Sequence, residues 1–302
     1  MTKIDTLIQQ VITDGRTTLT EAESKTVLKA YRAPVIEEWV VKTPAEAVRQ
    51  AEQTGYPIVL KGLGAKLTHK TERGLVKLNL GSAAAVHQAA FEIEKGAGPD
   101  LEGYLVQPQV TGRREFVAGL FRDAQFGPVV MFGLGGIFTE ALDDVVFRLA
   151  PFDEGMARQM ITELHAKKLL EAFRGEQPAD PDALARTLAG LSRLAVDHPE
   201  VREVDINPLL VGPDGRVTAV DALIVLQSEK TEEQTFSPPV APQDVAKVFY
   251  PRSIAFLGAS GTISKWGYLM AVAVLAGGYE GPVYLVNPKG GQIAGRPVYP
   301  SL

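Results

Sequence analysis

The sequence predicts an α/β protein in two parts, a large first part over residues 1–226 and a smaller second part over 243–302. In the first part, amphipathic segments that begin at N-capping residues alternate with short apolar runs typical of strands. The intervening segment 227–242 is polar and rich in proline, which is typical of a semi-extended linker. After it come an apolar run, a glycine turn, a helical segment and another apolar run, the order of a βαβ unit.

Composition indicates a soluble globular chain. Its 302 residues are 45% hydrophobic and 22% charged, and the net charge of −5 argues against a broad nucleic-acid surface. The absence of cysteine excludes disulfides, thiolate nucleophiles and cysteine-ligated zinc, and it fits a reducing compartment. The polar first ten residues have no signal-peptide core, and no run approaches the ~20 apolar residues that span a bilayer. We therefore expect a cytoplasmic protein that binds neither nucleic acid nor membrane.

Capping boxes mark two helices of the first part. Thr20 to Glu23 opens one that ends before Pro34, and Thr43 to Glu46 opens one that runs to about Gln53. A further helix is predicted at 82–95, and helical segments at about 153–172 and 181–198. Strands are predicted at 35–41, 58–61, 75–80, near 103–110, 114–122 and 127–132, and at 201–211 and 217–226 with an Asp-Gly turn between the last two.

The second part is too short to complete its sheet. A strand at 253–257, a helix at about 265–276 and a strand at 283–286 begin a doubly wound fold. The 60 residues of 243–302, with about three strands, bury too little apolar surface to stand alone. We expect either a truncated chain or a partner that completes the sheet, and we favour truncation.

Two features of the first part could contact phosphate. Lys61 ends a buried apolar strand, so its ammonium could reach a phosphate while its stem stays packed; the alternative is a solvated lysine at a strand end. In the run Gly133-Leu134-Gly135-Gly136, glycine allows close backbone approach and successive N–H groups could bind an anion; the alternative is an ordinary tight turn.

A pair of neighbouring strands carries candidate metal ligands. The period of two along a strand places Glu203, Asp205 and Asn207 on one face. Asp221 lies in the apolar strand that follows, where a carboxylate is costly unless it is paired or bound to metal. These hard oxygen ligands suit Mg²⁺ between protein and phosphates. The alternative is the polar outer face of an edge hairpin.

His69 is the candidate phosphoryl acceptor. It lies in the loop 62–74 with Lys66, Lys70 and Arg73, which would attract a phosphate, and a neutral imidazole can accept a phosphoryl group. The alternative is a solvated surface histidine.

The second part has its own candidate anion site. The run Gly258-Ala259-Ser260 follows a strand and precedes a helix, where backbone N–H groups and the helix dipole attract phosphate. Lys265, Asn287 and Lys289 add donors on the same edge of the sheet, beyond the carboxyl ends of its strands. The alternative is structural use of glycine.

In their order and spacing these motifs resemble one family, the ADP-forming acyl-CoA synthetases. The segments that resemble its ATP-grasp half are 57–61, 68–71, 74–76, 106–108, Glu115, 126–137, 205–209 and 220–222. Segments 251–255, 258–260 and 286–290 resemble the Rossmann-like CoA-binding domain that accompanies it. The resemblance implies an α+β ATP-grasp domain followed by the beginning of a CoA-binding domain.

The resemblance also implies a reaction. The family converts acyl-CoA, ADP and phosphate reversibly into the free acid, CoA and ATP. Its phosphoryl group passes from an acyl phosphate to a histidine of another domain, then to the histidine that matches His69, and finally to ADP. The cofactors and ligands implied are therefore ATP or ADP, Mg²⁺, CoA and a small carboxylic acid. The remainder of the CoA-binding domain and the phosphohistidine domain would be supplied in cis or in trans.

The resemblance assigns roles to individual residues. Lys61 would contact nucleotide phosphates, and Asn207 and Asp221 would hold Mg²⁺. Residues matched to the nucleotide site are Gln107, Pro108 and Gln109 at the adenine, Glu115, the glycines Gly133, Gly135 and Gly136, and Glu140 close behind them. CoA would be bound by Gly258, Ala259, Ser260, Lys265, Asn287 and Lys289. Gln109 and the pair Arg113 and Arg114 depart from the family pattern, which could alter hinge or phosphate contacts.

Two other functions stay open. One is a regulatory domain that senses CoA metabolites within a protein lysine acetyltransferase; the intact Lys61, His69, Asn207 and Asp221 favour catalysis instead. The other is an ATP-grasp ligase that joins a carboxylate to an amine, an enzyme that would have no use for the second part.

Overall fold

The chain folds into two compact units, Met1–Thr231 and Glu232–Leu302. A computed structural model describes residues 2–67, 70–136, 144–172, 174–227 and 241–302. Among these residues, no helix is long and apolar enough to cross a membrane.

The first unit contains helices and strands in mixed order. Its helices are α1 (Lys3–Thr13), α2 (Glu21–Ala30), α3 (Pro44–Thr54), α4 (Ala83–Ala97), α5 (Glu154–Glu163) and α6 (Pro181–Asp197). Its strands are β1 (Trp39–Val41), β2 (Ile58–Leu63), β3 (Val76–Leu80), β4 (Gly103–Pro108), β5 (Arg114–Asp123), β6 (Gly127–Leu134), β7 (Val145–Leu149), β8 (Val201–Val211), β9 (Val217–Ala219) and β10 (Ala222–Leu226). Short 3₁₀ turns lie at Gly98–Asp100 and His165–Leu170.

A small antiparallel sheet with strand order β1-β4-β2-β3 forms one half of this unit. All six residues of β2 are buried because α3 and α4 cover the sheet with alanine-rich faces. The small side chains of Ala47, Ala51, Ala89 and Ala90 let the helices lie close to each other and to the strands. This packing fixes Lys61, in the middle of β2, inside the unit.

A larger antiparallel sheet with strand order β10-β8-β5-β6-β7 forms the other half, and β9 also pairs with β8. Its core includes stacked Phe116 and Phe132, whose ring centres lie 5.6 Å apart, and the apolar faces of α1 and α6. β8 alternates buried Val204 and Ile206 with exposed polar residues, which confirms the predicted period of two. The polar face of β8 thereby faces away from the core.

The second unit has a four-stranded sheet of order β11-β12-β14-β13, with β11 (Ile254–Leu257), β12 (Val283–Val286), β13 (Gln292–Ile293) and β14 (Arg296–Tyr299). β11, β12 and β14 are parallel, and β13 pairs antiparallel with β14. Its helices are α7 (Pro242–Phe249) and α8 (Trp266–Ala276), and α8 follows β11 as the predicted βαβ order requires. The predicted strand and helix boundaries in this part are confirmed to within a residue.

The structure corrects several predicted elements. Helices α1 and α7 and strands β7, β13 and β14 were not predicted, and the strand expected at 35–41 is confined to Trp39–Val41. The strand expected at 217–226 is divided into β9 and β10 around Val220 and Asp221. The helical segment expected at 153–172 is α5 followed by a 3₁₀ turn. These differences add elements, divide one strand and shift boundaries, but they do not change the predicted α/β class.

Candidate functional site

A cleft of about 400 Å³ lies where the small sheet meets the large one. One wall is the end of β2 and the loop that follows it, and the opposite wall is formed by β8 and β10. The N-terminal end of α2 closes the cleft beside them. Polar residues that line the cleft include Glu21, Lys70, Asp205, Asn207 and Asp221.

A buried carboxylate gathers three lysines beside this cleft. Glu21, at the first position of α2, has a side chain only 1% exposed. Its Oε1 accepts hydrogen bonds from Lys61 Nζ at 2.6 Å and Lys25 Nζ at 2.8 Å, and its Oε2 accepts one from Lys70. We call Glu21, Lys25, Lys61 and Lys70 the lysine cluster. A buried charge is tolerated only when it is paired in this way.

The charges of the lysine cluster stabilise one another. Burial raises the pKa of Glu21, but the ammonium groups of Lys61, Lys25 and Lys70 outweigh it and hold that pKa well below its usual range. Burial lowers the pKa of Lys61, and Glu21 and Asp221 more than reverse that effect, so its pKa is raised. Lys61 and Glu21 are therefore both ionised at neutral pH.

Lys61 does not occupy the position that the sequence suggested. β2 continues to Leu63, so Lys61 lies within the strand, and its side chain is 3% exposed. Besides its bond to Glu21, Lys61 Nζ donates to Val220 O at 3.1 Å and lies 3.7 Å from Asp221 Oδ2. The alternative of a solvated lysine is excluded. The proposed contact with nucleotide phosphates stays a prediction.

The candidate metal ligands meet across the β8–β10 pair. Ile206 lies opposite Ala222 in the ladder, so Asn207 and Asp221 are the next residues along each strand, and both line the cleft. Asp205 lies on the same face of β8. Reduced hydration, together with the charges of Asp221 and Glu203, raises the pKa of Asp205 to about 6. Burial and Glu21 likewise raise the pKa of Asp221, which the nearby lysines only partly offset.

These side chains fit a magnesium ion shared with a phosphate ligand. Two carboxylates and one amide supply hard oxygen donors, and their mutual repulsion would be relieved by a cation. In the described ranges, no group of three His, Cys, Asp or Glu residues could hold a metal by itself. A cation here would therefore depend on Asn207 and on oxygens of its ligand, as is usual for Mg²⁺ at phosphates.

The residues expected at the adenine lie at the end of β4. Gln107 is buried, and its Oε1 lies 3.4 Å from Lys25 Nζ, so it supports the lysine cluster. Pro108 and Gln109 line a second cavity of about 500 Å³ together with the hairpin turn that begins at Gly212. Gln109 Oε1 accepts a hydrogen bond from the backbone N–H of Asn79 at 3.0 Å, which ties β4 to the end of β3.

The glycine run packs tightly onto β5. Gly133 lies inside β6, and Gly135 N donates to Glu115 O at 2.8 Å. A Cβ on Gly135 would lie 3.0 Å from the backbone of Glu115 and Phe116, and one on Gly136 would lie 2.9 Å from Glu115 Oε2. Gly135 is thus required by packing. The predicted phosphate contact of this run stays a prediction.

Two predicted site residues, His69 and Glu140, lie outside the described residues. Lys70, next to His69 in sequence, is described and lies at the cleft, where it contacts Glu21.

Of the two arginines that depart from the family pattern, Arg114 has a structural role. Its guanidinium is buried and donates to backbone carbonyls, two of which belong to Gln177 and Gly212. Arg113 is exposed. Arg114 therefore holds the backbone that surrounds the start of β5.

The predicted CoA-binding residues meet at the carboxyl ends of β11 and β12. Asn287 Nδ2 donates to Ala259 O at 2.7 Å, and Asn287 Oδ1 accepts from Lys289 N at 2.9 Å, so one side chain links both loops. Gly258 has a φ of +80°, and Ser260 Oγ accepts from Thr262 N. Lys265 is exposed at the N-cap position of α8.

Sequence reasoning missed one residue at the loops of the second unit and several residues of the cleft in the first unit. Gly267 allows the first turn of α8 to approach, because a Cβ there would lie 2.3 Å from Gly258 O. Glu21 and Lys25 lie in the capping-box helix, where charged residues are ordinarily solvated. Glu38, whose Oε2 accepts from Lys25 Nζ at 2.5 Å, lies just before β1. An i, i+4 pair of Glu21 and Lys25 was the one local signal available.

Comparison with known proteins identifies a family for each of two parts of the chain. Residues 10–226 match a family of ATP-grasp domains, and residues 252–302 match a family of CoA-binding domains. The beta subunit of ADP-forming acetate–CoA ligase II from Pyrococcus furiosus is 42% identical over 228 residues, which are 73% of this chain and 97% of that subunit. ADP-forming acetate–CoA ligase II of Archaeoglobus fulgidus is 35% identical over 284 residues, 94% of this chain but 41% of that longer protein.

Solved structures of an acetyl-coenzyme A synthetase also match this chain. Acetyl-coenzyme A synthetase 1 of Candidatus Korarchaeum cryptofilum, in complex with coenzyme A, Ca-AMPCP and HgCl⁺, superposes with a TM-score of 0.69 at 40% identity. That match covers 73% of this chain and 98% of the solved chain. The same enzyme with coenzyme A and Mg-AMPPCP, its phosphohistidine segment pointing towards the nucleotide site, gives a TM-score of 0.65 at 38% identity. That match covers 74% of this chain and 100% of the solved chain. With its ATP-grasp domain, its cleft and these relatives, the chain belongs to the family of ADP-forming acyl-CoA ligases.

Proposed function

We propose that this chain is the nucleotide-binding part of an ADP-forming acyl-CoA synthetase and moves a phosphoryl group between His69 and ADP. The observation that carries the proposal is the cleft lined by Lys70, Asn207 and Asp221, with buried Lys61 adjacent to it, 3.7 Å from Asp221. Cations beside oxygen ligands are what a nucleotide with bound Mg²⁺ requires, because phosphoryl transfer depends mainly on positioning and charge neutralisation.

In this proposal the protein groups neutralise and orient the phosphates. Lys70 lines the cleft and can contact a phosphate directly. Lys61 is buried and adds positive charge close to Lys70. Asn207 and Asp221 would hold Mg²⁺, which when bound neutralises phosphate charge. The residues at the end of β4, Gln107 to Gln109, would line the adenine site.

His69 is the proposed carrier. A lone pair of a neutral imidazole nitrogen attacks the γ-phosphorus of ATP, a P–N bond forms, and the P–O bond to ADP breaks with its electron pair on ADP. In reverse, a β-phosphate oxygen of ADP attacks the phosphohistidine. His69 lies in sequence between β2 and β3, and in this proposal it exchanges phosphate with a histidine of another domain.

The second unit would bind CoA, and the acid would be a small carboxylate. The Korarchaeum relatives contain coenzyme A and nucleotide analogues, and the Pyrococcus relative is a beta subunit. By analogy, this chain would work with further domains that bear the first phosphohistidine, in a cytoplasmic enzyme.

The proposal is tested with γ-labelled ATP and Mg²⁺. The full chain and its His69→Ala variant are compared, and His87→Ala serves as a matched control because His87 is an exposed histidine on α4. We expect acid-labile label on the wild type and on His87→Ala, and none on His69→Ala. The wild type should also exchange label between ADP and ATP.

Two results would contradict the proposal. Label that survives in His69→Ala would place the phosphoryl acceptor elsewhere. A wild-type chain that binds ATP but neither retains label nor catalyses the exchange would leave a nucleotide-binding domain without phosphoryl transfer.

A further inference from the structure

We propose that Glu21 is a positioning residue for phosphate binding, because its carboxylate holds the ammonium groups of Lys61 and Lys70 side by side at the cleft. The inference rests on the proposed function and adds to it a residue of α2, an element that carries none of the residues predicted from the sequence.

The two oxygens of Glu21 divide the lysines between them. Oε1 accepts from Lys61 and Lys25, and Oε2 accepts from Lys70. One carboxylate thus sets the separation between Lys70, which lines the cleft, and Lys61, which is buried beside it. Charge-assisted hydrogen bonds of this kind are stronger and more directional than neutral ones.

Lys61 and Lys70 depend on Glu21 to different extents. Lys61 lies in a strand, is 3% exposed, and has a second acceptor in Val220 O. Lys70 lies in a turn after β2, is 16% exposed, and its other carboxylate contact is Asp221 at 4.0 Å. Loss of Glu21 would therefore leave Lys61 in place and release Lys70, whose long side chain gains freedom in solvent.

Electrostatic repulsion acts in the same direction. Two ammonium groups that share one carboxylate repel each other across a few ångströms when that carboxylate is removed, and low hydration inside the unit strengthens the repulsion. The partner with access to water, Lys70, would move away. The phosphates would then meet one fixed cation where the intact cluster offers two.

Glu21 itself is held by its own helix. Lys25, one turn further along α2, bonds Glu21 Oε1, and Lys25 is in turn bonded to Glu38. The carboxylate is also at the N-terminal end of α2, where the helix dipole favours a negative charge. Glu21 thus has a fixed position before any ligand arrives, which is the condition for positioning others.

The test compares the effect of Glu21→Gln on the affinity for Mg-ADP with its effect on the affinity for adenosine. Calorimetry on the full chain measures the Kd of Mg-ADP and of adenosine, which lacks the phosphates. Glu38→Gln is the matched control, because Glu38 is a second, partly buried acceptor of Lys25 and forms no hydrogen bond with Lys61 or Lys70 among the described bonds. Glu21→Asp tests rescue by a shorter carboxylate.

We expect Glu21→Gln to weaken Mg-ADP binding about tenfold or more while adenosine binding changes less than about twofold. Glu38→Gln should keep the wild-type ratio of the two affinities. Glu21→Asp should recover part of the affinity for Mg-ADP that Glu21→Gln loses. Should Glu21→Gln fail to fold, Lys70→Met replaces it, with Lys29→Met, an exposed lysine of α2, as control. Lys70→Met should show the same selective loss.

Three outcomes would overturn the inference. Mg-ADP binding that is unchanged or tighter in Glu21→Gln would mean that Glu21 competes with phosphate or has no part in binding it. An equal loss of ADP and adenosine affinity would reduce Glu21 to a folding role. A wild-type chain that binds neither ligand would refute the proposed function itself, and the inference with it.

Discussion

Replacing Arg114 by methionine should destabilise the first unit more than replacing the neighbouring Arg113 at the start of β5. The guanidinium is buried, and its Nε lies 3.0 Å from Glu176 Oε2. Its Nη atoms donate to four backbone carbonyls, those of Gln177 at 2.8 Å, Gly212 at 2.9 Å, Leu169 at 3.2 Å and Glu171 at 3.3 Å. Methionine has a similar length and can replace none of these bonds.

The expected loss in free energy of unfolding is calculated from the two shortest hydrogen bonds of Arg114. A hydrogen bond from a charged donor contributes about 1.5–3 kcal/mol, and carbonyls left buried without a donor cost a similar amount. Counting only Gln177 and Gly212, Arg114→Met should lower the free energy of unfolding by about 3–6 kcal/mol. The weaker bonds and the ion pair are left out of this figure.

The assay is urea unfolding of Arg114→Met and of Arg113→Met, the neighbouring exposed arginine. Both are made with Trp266→Phe, so that Trp39, the other tryptophan of the chain, reports on the first unit alone. Arg113→Met should change stability by less than about 0.5 kcal/mol. A loss below about 1 kcal/mol for Arg114→Met, or a loss shared equally by both variants, would refute the reasoning.

Three further predictions concern packing, pH and metal. Gly190→Ala should cost about 1–3 kcal/mol in urea unfolding, because its Cβ would lie 2.0 Å from Tyr31 O. Arg16→Met should cost about 1 kcal/mol at pH 7 and less at pH 3. Burial raises the pKa of Glu23, but hydrogen bonds from Arg16 and the backbone outweigh it, so the pair stabilises above the unfolded pKa and fades as pH falls. Asp221→Asn should weaken ADP binding about tenfold with Mg²⁺ and little without it.

Each of these predictions has a control and a contrary outcome. Gly81→Ala, where a new Cβ meets nothing within 4 Å, should be neutral; if it costs as much as Gly190→Ala, overpacking is not the cause. An Arg16→Met cost that is the same at pH 3 and pH 7 would argue against the ion pair. Glu203→Gln, on the same strand face but outside the cleft, should leave Mg²⁺ dependence intact.

Local signals were sufficient for most of the fold. The capping box at Thr20 and Glu23 is formed as the sequence predicted, and so is the alternation along β8. Helix α1 was missed although Thr2 and Asp5 form a capping box and buried Ile4 and Ile8 lie four residues apart. The polar remainder of that segment hid the pattern. β9 and β10 were read as one strand because Val220 is apolar and gives no signal of a break.

The site was predictable only where its geometry follows from one hairpin. Asn207 and Asp221 come together because period two along β8 and the turn at 212–215 fix their register. Glu21 and Lys61 are 40 residues apart, and their pairing depends on how α2 packs beside the small sheet. No local periodicity encodes such a contact. A sequence can therefore indicate a lysine suited to phosphate without revealing the carboxylate that holds it.

Burial of Lys61 restricts the direction from which a phosphate can reach it. An ammonium has three hydrogens. Two are used by Glu21 Oε1 at 2.6 Å and Val220 O at 3.1 Å. The nearest further acceptor among the described residues is Asp221 Oδ2, and at 3.7 Å it is too far for a hydrogen bond. A phosphate could therefore bond Lys61 without displacing Glu21 or Val220 only through the third hydrogen, which limits its approach to one direction.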